Sequence, residues 1–315
     1  MRCLCCNRLM VNPSEYEVAS GWHKKCIKDF FGTDELPDFN ISEEMLENLA
    51  NSTVNKGLTV PGVQKKLSLH LSKEDKSARF TIVDYPTGYI LKPQSDDFRA
   101  LPESEFLSMK LAEMMNIKTV PNGLIKLNGA YAYITKRIDR LNNRMYAMED
   151  FCQLSNRNTA DKYKGSYEGC GRVIDKYSKN IGLDKTEFFY RLIFCFVTGN
   201  SDMHLKNFSL IENEPGGRVF SLSPAYDMLP VNIIMPQDKE QMALTVNGKK
   251  RNIRKKDFLI MADNLGIKSK VAERIINQVC KYQDKIIEEI QQSYIPDDLR
   301  KDFALLVKAR VSVFD

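Results

Sequence analysis

The chain has 315 residues, of which 43% are hydrophobic and 28% charged, as in a globular protein with a substantial core. Its formal net charge of +5 is modest for this length and does not by itself indicate nucleic-acid binding. No apolar run approaches the roughly 20 residues that span a bilayer, and the first residues lack the apolar stretch of a secretory signal, so we expect a cytoplasmic protein without membrane association.

The N-terminal segment is rich in metal-ligating residue types. Two pairs, Cys3-x-x-Cys6 and His23-x-x-Cys26, have the local spacing of small structural zinc sites. Three thiolates and one imidazole would close a tetrahedral site with no open position, which favours a role in folding. Cys5 could replace either neighbour, and a set of reduced core cysteines is the alternative. We therefore predict a zinc-binding-like segment at residues 1–33.

The region 34–140 predicts a linker followed by a small β-rich lobe. An acidic turn precedes an amphipathic helix that carries Met45, Leu46, Leu49 and Ala50 on one side, and residues 34–56 form this linker and helix. The lobe at 57–140 combines neighbouring antiparallel strands with one helix. Its predicted strands are 67–71, 80–84, 88–92, 123–127 and 130–135, and its helix is 103–115.

Residues 141–315 predict a large, mostly helical lobe. Apolar spacing predicts helices at 149–154, 167–176 and 186–197, and a hairpin formed by 207–212 and 218–222. The apolar residues between Val271 and Ile290 recur at intervals that suit one long buried helix face. The basic run at 249–256 predicts a solvated face or a hairpin tip, with DNA contact inside a larger complex as the alternative.

Asp202 and Asn207 lie in one loop directly after an apolar segment. A kinase catalytic loop needs a carboxylate that orients or deprotonates the acceptor hydroxyl, and an amide oxygen a few residues later that binds Mg²⁺. The spacing favours these two roles, whereas the alternative is a polar loop in which Asp202 caps a turn. Between them, Lys206 could lie near the γ-phosphate, and His204 is at most a nucleotide contact.

Two further stretches suit the phosphates of a nucleotide. A glycine turn followed by lysines predicts a phosphate loop, because glycine lets backbone N–H groups approach phosphate closely; an ordinary β-turn is the alternative. Lys92 ends an apolar strand and is predicted to bind the α- and β-phosphates, although a strand-end lysine can also reach solvent. Glu105 is the first choice for its acidic partner and Glu103 the second. The phosphate-loop residues are Pro61, Gly62, Val63, Gln64, Lys65 and Lys66.

Asp227 ends a strand that follows the catalytic loop by one hairpin. In protein kinases a hairpin likewise separates the catalytic loop from a metal-binding aspartate, because both must reach the same magnesium ions. Met228 and Leu229 follow here, so the usual Asp-Phe-Gly sequence is missing. We predict that Asp227 is the second magnesium ligand.

The order of these motifs resembles that of the HipA-like serine/threonine kinases of bacterial toxin–antitoxin systems. The resemblance extends from about residue 57 to the end, and its most specific part is Asp-Met-His-Leu-Lys-Asn-Phe at 202–208. The other motifs that carry it are Thr-Val-Pro-Gly-Val-Gln-Lys-Lys at 59–66, Ile-Leu-Lys at 90–92, Lys-Arg-Ile-Asp-Arg at 136–140, Glu-Asp-Phe-Cys-Gln at 149–153 and Ala-Tyr-Asp at 225–227.

This resemblance implies an α+β, bilobal protein-kinase-like fold with a small β-rich N-lobe at 57–140 and a large helical C-lobe at 141–315. It implies that Asp202 is the catalytic base, that Asn207 and Asp227 bind Mg²⁺, and that Lys92 binds the ATP phosphates. It adds Tyr226 to the ATP-binding residues, and it implies a hinge whose backbone reads adenine, formed by Lys136, Arg137 and Ile138.

The resemblance also bears on regulation and partners. Family members autophosphorylate a serine in the phosphate loop, and Thr59 occupies the matching position. The chain looks like the compact, HipT-like members, in which the regulatory subdomain of longer relatives is a separate polypeptide or is missing. Implied partners are a protein substrate, a helix-turn-helix antitoxin and a separate regulatory subunit, with DNA reached only through the antitoxin.

The function implied is an ATP- and magnesium-dependent serine/threonine protein kinase, with an aminoacyl-tRNA synthetase as the acceptor of related toxins. A small-molecule or lipid kinase is a second hypothesis, because a kinase-like fold does not fix the acceptor. A third is an inactive ATP-binding module, suggested by Thr59 and by the missing glycine after Asp227.

Overall fold

The structure, a computed structural model, describes residues 1–39, 66–74, 77–82, 88–141 and 144–315. The chain forms two compact units, one of residues 1–106 and 120–141 and the other of residues 107–119 and 142–315. The sequence predicted one lobe at 57–140, whereas in the structure residues 107–119 belong to the second unit. Two hydrogen bonds connect them to it: Tyr190 Oη donates to Met115 O at 2.7 Å, and the amide of Ala225 donates to Lys118 O at 2.7 Å.

The first unit begins with two short helices, α1 (Glu15–Ser20) and α2 (Lys24–Phe31). Ser14 caps α1 by accepting a hydrogen bond from the Glu17 amide, and Glu17 bonds back to the Ser14 amide, which satisfies two free donors at the helix start. Gly21 and Gly32 end the two helices with φ of 74° and 67°, a conformation that glycine adopts without steric cost.

A five-stranded sheet follows, with strand order β2-β1-β3-β5-β4 and antiparallel pairing throughout. The predicted antiparallel neighbours are confirmed: Leu67 of β1 lies opposite Leu91 of β3, which in turn lies opposite Ile134 of β5. The strands are β1 (Leu67–Glu74), β2 (Ser77–Ile82), β3 (Tyr89–Lys92), β4 (Asn122–Leu127) and β5 (Ala130–Lys136). The predicted helix at 45–50 lies outside the described residues.

The cysteine-bearing segment packs on this sheet. Trp22 is fully buried, and its Nε1 donates to Leu124 O on β4 at 2.9 Å. The amide of Leu124 in turn donates to Leu4 O at 2.7 Å. The rings of Phe30 and Phe31 lie 5.9 and 5.8 Å from that of Tyr89 on β3. The segment therefore shares the hydrophobic core of the first unit.

Helix α3 (Leu101–Met114) follows β3, close to the predicted helix at 103–115. Two very short strands come after β5, namely β6 (Arg140–Leu141) and β7 (Arg144–Met145).

The second unit contains a three-stranded sheet, of order β10-β9-β8, and a set of helices. Its central helix is α6, in which every residue from Phe188 to Val197 is buried. The elements are β8 (Met148–Asp150), α4 (Phe151–Leu154), α5 (Tyr167–Tyr177), α6 (Ile181–Val197), β9 (Ser209–Glu212), β10 (Phe220–Leu222), α7 (Val231–Ile234), α8 (Lys255–Asn264), α9 (Ser269–Lys281), α10 (Gln283–Gln291) and α11 (Asp297–Val311). None of the described helices is long and apolar enough to cross a membrane.

Two sequence-based predictions are wrong in this unit. Glu149 and Asp150 belong to strand β8, and Asp150 then caps α4 by accepting from the Gln153 amide at 2.9 Å, which requires an extended backbone at the cap. The predicted long helix face ends at Tyr282, where α9 stops and α10 begins. Apolar spacing continues on both sides of Tyr282 without glycine or proline, so the pattern does not mark the break.

Candidate functional site

The loop after α6 brings Asp202 and Asn207 together through the backbone. Gly199, with φ of 69°, turns the chain immediately after the helix. The carbonyl oxygen of Asp202 then accepts two hydrogen bonds, from His204 N at 2.7 Å and from Asn207 Nδ2 at 2.9 Å. These bonds close the stretch 202–207 into a compact turn that ends in a 3₁₀ helix over Leu205–Asn207.

The side chain of Asn207 is oriented by this closure. Because its Nδ2 donates to Asp202 O, its Oδ1 is free to accept or to ligate a cation. Asn207 is buried, with 6% of its surface exposed. An amide oxygen held in this way is a suitable ligand for Mg²⁺, which prefers oxygen donors.

Apolar residues alternate with the polar ones and hold the loop on the core. Met203, Leu205 and Phe208 are all buried. The ring of Phe208 packs against those of Phe188 and Phe151, with centroids 4.9 and 5.8 Å apart. These apolar side chains therefore anchor the loop backbone in the core, while Asp202 itself is only half-buried.

Lys206 lies beside an acid from another element. Its Nζ is 2.6 Å from Asp150 Oδ2, the side chain that belongs to the Glu-Asp-Phe-Cys-Gln motif. His204 is buried, and its Nδ1 accepts from the amide of Lys206. His204 therefore acts first as a cap of the 3₁₀ turn.

Sequence reasoning missed Tyr163, which contacts the candidate base directly. Its Oη donates to Asp202 Oδ1 at 2.5 Å, and its ring meets the His204 ring edge-on at 4.9 Å between centroids. Burial, together with the charge of Asp202, raises the pKa of Tyr163, so the phenol stays protonated and acts as a donor. A tyrosine 39 positions before Asp202 leaves no spacing signal in the sequence.

Asp227 follows β10 and is tied to the same loop. Its φ of 59° is uncommon for a residue other than glycine and marks a locally constrained backbone. Tyr226, immediately before it, donates from Oη to Lys206 O at 3.1 Å and meets Ser209 Oγ at 2.5 Å. The charge of Asp227 also contributes to the raised pKa of Tyr163. The carboxylates of Asp202 and Asp227 therefore both influence the same phenol.

The first unit contains a buried ion pair of its own. Lys92 Nζ lies 2.5 Å from Glu105 Oε1, and the two side chains are only 5% and 2% exposed. Lys92 Nζ also lies 5.3 Å from the ring centroid of Tyr133, a favourable position for a cation. Thus Glu105, and not Glu103, is the partner of Lys92. Burial raises the pKa of Glu103.

The predicted hinge residues lie at and just beyond the end of β5. The amide of Lys136 donates to Pro121 O at 3.0 Å, and that of Arg137 donates to Gly88 O at 2.8 Å. The guanidinium of Arg137 binds both carboxylate oxygens of Asp139, at 2.9 and 2.6 Å. Ile138 is half-buried.

Part of the predicted phosphate loop lies outside the described residues, namely Thr59, Pro61, Gly62, Val63, Gln64 and Lys65. Lys66 is described and is exposed immediately before β1.

In the basic run at 249–256, Lys249 pairs with Asp257 at 2.8 Å and Lys250 with Glu240 at 3.3 Å, so two of its cations face acids of the same unit. The pair Val246–Lys249 closes a tight turn there.

The predicted cysteine and histidine ligands form one cluster. The ligand atoms of Cys3, Cys6, His23 and Cys26 all lie within 4.8 Å of one another. His23 Nδ1 lies 3.5 Å from Cys6 Sγ and 3.8 Å from Cys26 Sγ. Side-chain hydrogen bonds from Cys26 and Cys6 lower the pKa of Cys3. Zinc–sulfur bonds of about 2.3 Å require ligand atoms at about these separations, so the four residues fit a tetrahedral zinc ion. Cys5 is not a member of the cluster.

Comparison with known proteins places this chain in a family. The sequence model of the HipA-like C-terminal domain matches residues 58–286, and the chain belongs to this family. Putative kinase Y4dM of Sinorhizobium fredii is 34% identical over 235 residues, which cover 69% of this chain and 55% of that protein. The serine/threonine-protein kinase toxin HipA of Shewanella oneidensis is 23% identical over 282 residues, which cover 79% of this chain and 63% of that protein. The chain thus spans less than two thirds of the length of both.

Solved structures share the fold. HipA of Shewanella oneidensis, in a complex with HipB and operator DNA, superposes with a TM-score of 0.67 at 19% identity, covering 82% of this chain and 64% of that one. The proinflammatory kinase CtkA of Helicobacter pylori superposes with a TM-score of 0.55 at 15% identity, covering 78% of this chain and 95% of that one. The mixed α/β fold is therefore that of HipA-like kinases.

The buried pair Lys92–Glu105 generates a stability prediction. Glu105→Gln removes the carboxylate that lies 2.5 Å from the buried ammonium of Lys92, so we expect the free energy of unfolding to fall by about 3–5 kcal/mol. Urea titration followed by circular dichroism measures this loss. The control is Asp34→Asn, because Asp34 pairs with Lys28 at 3.4 Å while both side chains are exposed, at 90% and 72%; its expected cost is below about 1 kcal/mol. Equal, small losses in both variants would contradict the assignment.

Proposed function

We propose that the chain is an ATP- and magnesium-dependent serine/threonine protein kinase. The observation that carries the proposal is the closed loop in which Asn207 Nδ2 binds Asp202 O, because it fixes an accessible carboxylate and an amide oxygen at the spacing of a kinase catalytic loop. Family membership supports the same activity. In this proposal the first unit corresponds to the small lobe of a protein-kinase-like fold and the second unit to the large lobe.

The magnesium ligands would be Asn207 Oδ1 and the carboxylate of Asp227. Both are oxygen donors, and Tyr226 links the backbone before Asp227 to the loop that carries Asn207. When bound, Mg²⁺ neutralises negative charge that develops on the phosphates. The left-handed backbone at Asp227 supports a functional role, because such strain is retained where the surrounding structure requires it.

The phosphates would be held by Lys92 and by the predicted phosphate loop. Lys92 is fixed in direction by Glu105, which matches the lysine–glutamate pair that protein kinases require. Lys206 belongs near the γ-phosphate in this proposal, and its pairing with Asp150 would hold its Nζ in place. Adenine would be read by backbone groups of Lys136, Arg137 and Ile138 other than the amides of Lys136 and Arg137, which already donate to Pro121 O and Gly88 O.

The chemical step would use Asp202. The oxygen of an acceptor hydroxyl attacks the γ-phosphorus of ATP, the bond between that phosphorus and the β–γ bridging oxygen breaks, and ADP leaves. The hydroxyl proton passes to the carboxylate of Asp202. Most of the rate enhancement in such a reaction comes from positioning and charge neutralisation, so the rigid loop is the main contribution of the protein.

The acceptor and partners follow from the relatives by analogy. The Shewanella oneidensis relative is named as a serine/threonine kinase toxin, and its structure contains HipB and operator DNA. We accordingly propose a protein acceptor, with an aminoacyl-tRNA synthetase as the class to test first, a DNA-binding antitoxin as partner, and Thr59 as the candidate autophosphorylation site.

The first functional prediction concerns the two acids. Asp202→Asn should lower the rate of phosphoryl transfer by about 10²–10⁴-fold, the usual contribution of a general base. Asp227→Asn should lower it comparably and raise the magnesium concentration needed for half-maximal rate. Transfer of label from γ-³²P-ATP to protein measures both. Asp297→Asn is the control, because Asp297 is 83% exposed and pairs with Arg300 on α11. Wild-type rates in both active-site variants would refute the assignments.

The second functional prediction concerns Tyr163 as a positioning residue. Tyr163→Phe keeps the ring against His204 but removes the hydrogen bond to Asp202. Because a hydrogen bond to a charged group contributes about 1.5–3 kcal/mol, we expect kcat to fall by about tenfold or more while the KM for ATP stays unchanged. Tyr282→Phe, between α9 and α10, is the matched control. An unchanged kcat in Tyr163→Phe would exclude a positioning role.

The third functional prediction concerns zinc. We propose that Cys3, Cys6, His23 and Cys26 bind one structural zinc ion, since the cluster presents three sulfurs and one nitrogen within 4.8 Å of one another. Elemental analysis of the purified protein should find about one zinc per chain. Cys26→Ser should lose the metal and unfold more readily, whereas Cys5→Ser should retain it. Zinc-free native protein, or equal loss in both variants, would count against the site.

A further inference from the structure

A cavity in the second unit contains none of the proposed catalytic residues in its lining. Its volume is about 640 Å³, and it opens along one side of α5. Its lining includes four cationic side chains, and no carboxylate of residues 144–315 contributes to it. The cations are Arg157, Lys164, Arg172 and Lys176.

The helix places its charges unevenly around its axis. Gly169, Arg172, Val173 and Lys176 recur at intervals of three and four and share the face that lines the cavity. The two acids of the helix are engaged elsewhere. Glu168 Oε1 accepts from Asn247 N at 2.8 Å, and Asp175 Oδ1 bonds Lys185 Nζ at 2.5 Å. The cavity face of α5 therefore carries positive charge only.

Arg157 is oriented across the cavity before any ligand binds. Its Nη1 donates to Lys164 O, which leaves the other guanidinium donors available. Gly165 has φ of 130°, and a Cβ at that position would lie 3.4 Å from Arg157 Nη1. Glycine suits this backbone conformation, and a Cβ there would only reach ordinary van der Waals contact with the guanidinium. Pre-orientation of this kind lowers the entropy cost of binding an anion.

Two of the four cations, Arg172 and Lys176, lack an acidic partner among the described residues. Lys164 has an acidic partner in Asp161, at 2.6 Å, but its side chain is 75% exposed. Arg172 and Lys176 form no ion pair with the residues that the structure describes, and Lys176 Nζ lies over the Tyr177 ring at 4.8 Å. Like charges gathered around one concave surface repel each other and raise the local concentration of anions. Guanidinium and ammonium groups that converge in this way match the oxygens of a phosphate.

The volume of the cavity suits a small ligand. Its volume falls within the range of about 300–1,000 Å³ that is typical of small-molecule sites. Leu154, Val173 and Tyr177 give it an apolar wall beside the charged one. Nucleic-acid recognition instead uses an extended basic stripe or groove. Leu205 also lines the cavity, and its amide donates to Lys162 O at 3.1 Å, so the site adjoins the loop that carries Asp202 and Asn207.

We propose that this cavity binds a small ligand that carries phosphate groups. Arg157, Arg172 and Lys176 would bind the phosphate oxygens, and Tyr177 with Val173 would contact the rest of the ligand. The proposal goes beyond the proposed kinase activity and does not depend on it, since binding here requires neither ATP nor transfer.

Calorimetric titration with inorganic pyrophosphate, at low ionic strength and with EDTA present, tests the site. Wild type should bind, and Arg172→Glu/Lys176→Glu should weaken the affinity by about tenfold or more, because charge-assisted hydrogen bonds are lost and the new carboxylates repel the anion. The milder pair Arg172→Gln/Lys176→Gln should also lower the affinity for pyrophosphate. Because it introduces no new charge, it distinguishes lost contacts from a folding defect in the charge-reversal variant.

The matched control is Lys270→Glu/Arg274→Glu. These two residues are also exposed, also four positions apart and also on a helix, α9, but they do not line the cavity. They change net charge equally, so affinity should stay within about twofold of wild type if local contacts rather than overall charge decide binding. Three results would overturn the proposal: no binding by wild type, equal effects of both charge reversals, or tighter Arg172- and Lys176-dependent binding of a single-stranded oligonucleotide than of pyrophosphate.

Discussion

The hydrogen bond from Asn207 Nδ2 to Asp202 O is the constraint on which the proposed chemistry depends. It joins the ends of a short turn, so the backbone of Asp202 and the amide of Asn207 are held together, and Tyr163 Oη then donates to the Asp202 carboxylate. Phe208 packs against Phe188 of α6 at the end of that turn, and Met203 and Leu205 within it are buried. A kinase needs such rigidity because it accelerates transfer mainly by positioning charge.

The cationic side chains of this protein fall into two groups, those paired with an acid and those that face a cavity without one. Lys92 is buried against Glu105, and Lys206 lies against Asp150, so each is held in one direction at the cost of desolvation. Arg172 and Lys176 differ, since α5 directs its acids elsewhere and leaves both cations facing a cavity. The first pattern fits groups that must stay fixed during a reaction, and the second fits groups that await an anion.

Much of the fold and of the candidate site could be predicted from the sequence, because the signals are local. The sheet strands and α6 have strong apolar patterns, and the Asp202–Asn207 and cysteine spacings are local, so neither needs tertiary information. Tyr163 was missed because its contact with Asp202 spans 39 positions and depends on tertiary packing. The end of α9 at Tyr282 was missed because helical periodicity continues through the break. The first choice of Glu105 as the partner of Lys92 is confirmed by their contact at 2.5 Å, whereas the sequence alone left Glu103 open because both acids lie near the start of one helix.

The most direct test of the central claim is the fate of the γ-phosphate. Purified chain is incubated with magnesium, a bacterial lysate and ATP that is labelled on either the γ- or the α-phosphate. We expect that label from γ-³²P-ATP appears on serine or threonine of a protein, that α-label does not, and that EDTA abolishes transfer. Absence of transfer, or label found only in small molecules or lipid, would contradict it.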